Sequence, residues 1–381
     1  MRDHMKIVIA MDSFKGTLAS DEAGKIVKEA FVSVMPEAKA EVVCVADGGE
    51  GMASAMIKNI GGELLETTVE DPLGRPVKAA YVLAGETAVI EMAEASGLML
   101  LNEREYDPCK ASTYGTGQLI KKALDEGARR IIVGLGGSAT NDGGAGMAMA
   151  LGVSLRDGNG LEIAKGGAAL RDLCEVDVSG LDGRLRDCEI IAACDVDNVL
   201  CGIKGATRVY GPQKGVTEEN ADMLDNAIAG YAALAEKAMN RNAAMTEGAG
   251  AAGGLGFGLL AFCGAKVRPG IDVVLEAAGF QDMLADADLL ITGEGCIDRQ
   301  TANGKTPVGT AKYADASGVP VIAIAGQMKA GYEGVYKKGI CAVFSCVSRV
   351  MTWDDARKEA REGLDSTAGN IARLIKAARH L

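Results

Sequence analysis

The sequence predicts a two-domain α/β protein built on parallel sheet, and three observations carry that reading. The chain has 381 residues, more than one compact core usually organises. Apolar runs are followed at once by glycine-rich loops and then by helical periodicity, the rhythm of parallel α/β structure with ligand groups at the carboxyl ends of strands. That rhythm is broken between Gly61 and Met92, where alternating and β-branched sequence reads as strands joined by tight turns. The switch near residue 70 is the expected domain boundary.

Taken in order, KIVIA (Lys6 to Ala10) is a strand, followed by the loop MDSFKGTLAS. A helix is predicted from Ser20 to Val34, with Ser20 as its N-cap and Ala23 and Val27 on its apolar face. EVVCVAD (Glu41 to Asp47) is a strand running into GGEG (Gly48 to Gly51) and a short helix. The strands after Gly61 turn at Asp71-Pro72 and Gly85-Glu86. Next come a helix at Gln118 to Glu126, the strand RIIVGLGG, and a glycine- and alanine-rich helix at Gly143 to Leu151. A buried strand is expected at Glu189 to Asn198 and a long amphipathic helix at Glu218 to Met239. A second glycine cluster, Gly248 to Phe262, opens a tightly packed helix. The chain closes with strands at Ala287 to Thr292, VPVIAIAG and Ile340 to Val347, a helix at Pro307 to Ala316, and a last helix ending at Ala378.

Composition narrows the chemistry. The 51 glycines are about twice the usual share and lack a collagen period, so they mark turns and close backbone approaches. A net charge of −12 with no basic cluster argues against nucleic-acid binding. Ten cysteines without a C-x-x-C pair read as reduced, mostly buried thiols. No signal peptide and no apolar run long enough for a bilayer are seen, so the expected location is the cytoplasm, away from membranes. Only His4 and His380 occur, which leaves acid–base work to carboxylates, lysines or a metal-bound water.

Five segments share one grammar, in which a strand ends and glycines, carboxylates and hydroxyls follow. They are Asp12 to Gly16, Asp47 to Gly51, GGSATNDGG (Gly136 to Gly144), Asp195 to Asn198, and TGEG with Asp298. Each alone reads equally well as a turn or cap, but loops at the carboxyl ends of parallel strands converge on one crevice. The glycine loops suit an anion, because successive N–H groups ahead of a helix point at a phosphate. Close helix packing is the competing reading, and it suits Gly248 to Gly258 better. Gly304-Lys305-Thr306 fails as a Walker A motif because Arg299 stands where its first glycine belongs. Gly248 to Gly253 has dinucleotide spacing without a clear preceding strand. Phosphoryl transfer needs Mg²⁺ or other positive counter-charge and a group that takes the hydroxyl proton. Lys15, Lys214 and Lys305 lie in loops suited to balance phosphate or carboxylate charge, with GPQKG (Gly211 to Gly215) read against a plain surface turn.

The motifs MKIVIAMDSFKGTLAS, VADGGEG, EMAEASGL, YGTGQLI, VGLGGSATNDGGAGMAMALG, ACDVDN, YGPQKG, GGLG and TGEGCIDRQTANGKTPVG together resemble the bacterial glycerate kinase type-1 family over nearly the whole chain. The resemblance implies a Rossmann-like domain of residues 1–70 and 265–381 with a second α/β domain, 71–264, inserted into it, and ligands in the cleft between them. It implies transfer of the ATP γ-phosphate to D-glycerate with Mg²⁺, usually giving 2-phosphoglycerate, with 3-phosphoglycerate as the alternative. A nicotinamide-dependent dehydrogenase and a non-catalytic sugar-acid sensor are the other readings, and a homodimer is compatible with the chain. Met11 and Cys296 depart from the family pattern, which has proline and arginine there.

The expected roles are as follows. Asp195 takes the hydroxyl proton, with Asp197 on the metal side, while Asp12, Asp47 and Asp298 compete for both tasks. Lys15 and Asp47 are further catalytic candidates, and Asp298 a metal candidate. Gly136, Gly137, Ser138, Thr140, Asn141, Lys214, Gly293, Glu294 and Lys305 are expected to bind the nucleotide. Asp12, Ser13, Gly48, Gly49 and Glu50 are expected to hold the substrate.

Overall fold

Ile7, Val8 and Ile9 are fully buried, and burial on both faces is what makes the first strand a central one in a parallel sheet. A computed structural model describes residues 4–379 apart from Lys15, Asp47, Glu50 and Gly304, with Asn303 described by its backbone alone. Three sequence-predicted site residues, Lys15, Asp47 and Glu50, thus lie outside the described residues.

In chain order the strands are β1 (Lys6–Met11), β2 (Lys39–Val42), β3 (Glu63–Glu70), β4 (Pro76–Ala84), β5 (Thr87–Glu91), β6 (Arg130–Gly134), β7 (Ser154–Asp157), β8 (Leu173–Asp177), β9 (Glu189–Ala193), β10 (Lys266–Arg268), β11 (Leu289–Ile297), β12 (Val321–Met328) and β13 (Ile340–Ser345). The chain divides into two compact units, one of residues 1–47, 54–60 and 271–381 and one of residues 48–53 and 61–270.

The first unit holds a five-stranded parallel sheet in the order β13-β12-β11-β1-β2. Period-two alternation sends Ile7, Ile9 and Met11 to one face, against helices Ser20–Val34 and Ala360–Ala378. Val8 and Ala10 face the other way, toward Phe280, Val308 and Ala311. Each fully buried Val, Leu or Ile contributes about 1.5–3 kcal/mol. Helix Ser20–Val34 has the predicted span, but Ser20 is not its cap. Its Oγ instead donates to the Met11 carbonyl at 2.7 Å and accepts from Val45 N–H at 3.2 Å, tying the helix to the strands.

The second unit has a six-stranded sheet, β10-β9-β6-β5-β4-β3, parallel from β10 to β5 and antiparallel beyond, plus the β7-β8 pair. Helices Tyr114–Asp125 and Glu218–Met239 cover its core. Its limits differ from the predicted 71–264. β3 pairs with β4 along its whole length and β10 bonds to β9, so both travel with this sheet. Gly48 packs on Ala193, and Ala53 N–H donates to Glu91 at 2.8 Å, which brings residues 48–53 along. The strand predicted to Asn198 ends at Ala193.

All ten cysteines are free; five are buried, and Cys174 and Cys341 are exposed. Among the described residues no helix is long and apolar enough to cross a membrane.

Candidate functional site

In the first unit β1 and β11 are neighbours, and the helices that follow them pack on opposite faces of the sheet. Loops that part in this way open a crevice at the carboxyl ends of the strands, where ligands of open α/β sheets bind. A cleft of about 510 Å³ lies there, within the usual range for small-molecule sites. Asp12, Ser13, Glu294 and Lys305 line it, with Met351 and Trp353 among its apolar residues.

The acidic groups at and near the ends of β1 and β11 have defined postures. Asp12 N–H donates to the Gly293 carbonyl at 2.8 Å, which holds the end of β1 against β11. Its Oδ1 accepts from Ser13 N–H at 2.7 Å and its Oδ2 from the Thr306 hydroxyl, also at 2.7 Å. Asp298 Oδ1 accepts from the N–H groups of Gln300 and Thr301, so it shapes its own turn. Glu294 is 8% exposed, and its Oε1 accepts from the buried Thr301 hydroxyl at 2.6 Å. Burial pushes its carboxyl up to about 7, opposed by the Thr301 hydrogen bond and the Lys305 charge. Lys305 stands at the N-cap of helix Thr306–Ala316, whose Pro307 sits in the first turn.

The second unit carries the glycine loops. Gly136 is glycine because a Cβ there would lie 2.5 Å from the Gly49 Cα. Two glycine loops therefore meet beside the end of β9. Ser96 and Leu98 pin the loop after β6 through Ala139 N–H and the Gly137 carbonyl. Gly137 has φ +74 and is exposed, and among the described residues the N–H groups of Gly136 and Gly137 meet no acceptor.

Behind this loop lies Lys214, 1% exposed, its Nζ donating to Ser138 Oγ at 2.7 Å and to the Thr140 carbonyl at 2.9 Å. Burial holds its ammonium down to about 7, while Asp142 pulls the other way. Sequence reasoning passed over Asp142. It is fully buried and accepts from Thr113 N–H and hydroxyl, Gly144 N–H and Gly146 N–H. Burial raises its pKa and these donors oppose the rise. The signal available was an acid followed by two glycines just ahead of a helix.

Against these observations, a family match decides the kinship: the glycerate kinase family matches residues 7–376. The chain belongs to the glycerate kinase family. It is 51% identical over 377 residues to the glycerate kinase of Bacillus subtilis (strain 168), covering 98% of this chain and 99% of that one. It is 46% identical over 373 residues to the glycerate 2-kinase of Escherichia coli (strain K12), with coverage of 97% and 98%. A crystal structure from Salmonella typhimurium LT2, described as a glycerate kinase 2, superposes with a TM-score of 0.91 at 46% identity and full coverage of both chains.

For this glycerate kinase family member, the sequence-predicted residues fall into two groups, one per unit. Asp12, Ser13, Glu294 and Lys305 share the first-unit cleft. Gly48, Gly49 and Gly136 meet in the second unit. Gly293 is a packing glycine: a Cβ there would lie 2.1 Å from the Ile324 carbonyl oxygen. Thr140 and Asn141 are fully buried, and Asn141 Nδ2 donates to Thr207 Oγ1 at 3.0 Å. Their side chains shape the loop from within, and its exposed part is the backbone at Gly137. Lys214 is interior, not a surface-loop residue. Asp195 and Asp197 are exposed, and Asp195 Oδ1 accepts from Gly270 N–H at 3.0 Å. Met11 is fully buried beside Gly293, and Cys296 lines the cleft.

Proposed function

We propose that this protein transfers the γ-phosphate of ATP to the 2-hydroxyl of D-glycerate, releasing ADP and 2-phosphoglycerate. The observation that carries the reading is full-length likeness to a relative named as a glycerate 2-kinase. Phosphoryl transfer asks the protein mainly for positioning and counter-charge. The open N–H groups of Gly136 and Gly137 are suited to a nucleotide phosphate, and Lys305 at the start of its helix is suited to an anionic group of either ligand.

Among the described residues no three His, Cys, Asp or Glu side chains are gathered to hold a metal. A Mg²⁺ ion carried by a nucleotide keeps its waters and takes only one or two carboxylates, so it needs no such cluster. Mg²⁺ would supply neutralisation of phosphate charge.

The test is incubation with D-glycerate and Mg-ATP, read through enolase and pyruvate kinase with no mutase present. A signal is expected without mutase and should vanish in excess EDTA. A signal that appears only after mutase is added identifies the 3-phosphate and defeats the assignment. Full turnover in EDTA defeats the metal requirement.

A further inference from the structure

Asp12, Glu294, Glu359 and Glu362 line the first-unit cleft and Asp298 stands at its edge; Glu359 is paired with Arg349, and Glu362 is exposed. Asp12 uses one oxygen for Ser13 N–H and the other for the Thr306 hydroxyl. Asp298 turns one oxygen to its own loop and stands outside the cleft lining. Glu294 differs. Thr301 engages only Oε1, and among the described residues Oε2 has no hydrogen-bond partner. The residue is 8% exposed yet lines the cleft. It also sits on strand β11 beside β1, at the point of the sheet where ligands gather. The Thr301 hydroxyl, itself fully buried, holds the carboxylate in one orientation.

We propose that Glu294 accepts the proton of the substrate hydroxyl, and that the cleft it lines is where that hydroxyl is presented. This rests on the kinase reading above and gives Glu294 a role beyond nucleotide binding. In the step, the hydroxyl oxygen forms a bond to the γ-phosphorus. The bond from that phosphorus to the β–γ bridging oxygen breaks, its electron pair leaving with ADP. The hydroxyl proton passes to Glu294 Oε2 and then to water. A base works best when its pKa lies near the working pH, and burial places Glu294 at about 7. The groups that face it are Asp12 from the end of β1, Lys305 from the start of its helix, Asp298 from the following turn, and Cys296 on its own strand.

The experiment measures kcat and KM for ATP and D-glycerate from pH 5.5 to 9, in wild type, E294Q, T301V and D195N. Wild-type kcat should rise with pH through a midpoint near the value at which Glu294 ionises, because only the ionised form accepts a proton. E294Q should lose at least about 10²-fold in kcat while KM for ATP changes little. T301V keeps the carboxylate and removes a donor that favours its charged form, so its rising limb should move to higher pH at a similar plateau. A limb that stays in place in T301V overturns the proposal even if E294Q does not fold. So does an E294Q that keeps kcat within threefold, or one whose only change is a raised KM for ATP. Selective loss of kcat in D195N with E294Q near wild type moves the base to Asp195. A wild-type protein that does not phosphorylate D-glycerate at any pH removes the kinase reading, and this proposal with it.

Discussion

Replacing Lys214 by methionine is expected to raise KM for ATP at least tenfold while kcat falls less. Lys214 Nζ supplies the hydrogen bonds to Ser138 Oγ and the Thr140 carbonyl. Methionine fills similar space but leaves the fully buried Thr140 with a carbonyl short of a donor, a deficit of about 1–3 kcal/mol. The loop relieves it by moving, and a tenfold change in affinity corresponds to only about 1.4 kcal/mol. Steady-state kinetics checks this; a wild-type KM for ATP in K214M would detach the Gly136–Asn141 loop from the nucleotide.

The same side chain predicts a pH signature in stability. Burial holds Lys214 at about 7 in the folded protein, below the ordinary 10.5. Between those values the unfolded chain carries the extra proton, so stability rises with pH across that window and the penalty is complete below it. The slope contributed is at most about 1.4 kcal/mol per pH unit. Urea denaturation of wild type at pH 7 and pH 9 should show this rise, and K214M should lack it.

The larger effect on folding is expected at Gly253. Its φ is +66, and an added Cβ would lie 1.9 Å from the Thr140 carbonyl oxygen, a backbone atom that cannot swing aside. Gly254, at φ +89, meets Gly143 in the same way. G253A therefore combines a disfavoured backbone conformation with overpacking and should destabilise by about 4 kcal/mol or more, the exceptional end of single substitutions. Gly230 is the control: it is exposed within helix Glu218–Met239 with nothing within 4 Å of an added Cβ. G230A should stabilise by about 0.5–1 kcal/mol. Thermal and urea melts of both variants test the pair, and a G253A melt like that of wild type would refute the close-packing account.

This glycine pair shows where sequence reading stops. The run from Gly248 to Gly258 reads as either a ligand loop or a packing surface, because a missing side chain looks the same in both. Only the neighbouring backbone at Thr140 and Gly143 decides for packing. By itself the sequence made the kinase family legible in the resemblance of its strand-end motifs, while the short strands Ser154–Asp157, Leu173–Asp177 and Lys266–Arg268 were not legible. It determined the α/β class and much of the order of strands and helices, since period-two and period-3.6 patterns are local properties of the chain. The span Ser20–Val34 was readable for that reason, and so was Glu218–Met239. Tertiary structure alone decided that Lys214 is interior, that Asp142 is ringed by donors, and that Thr301 holds one oxygen of Glu294. Burial and hydrogen-bond partnership arise between residues far apart in the chain, such as Lys214 and Ser138, and the ionisation of a carboxyl or an ammonium follows from them.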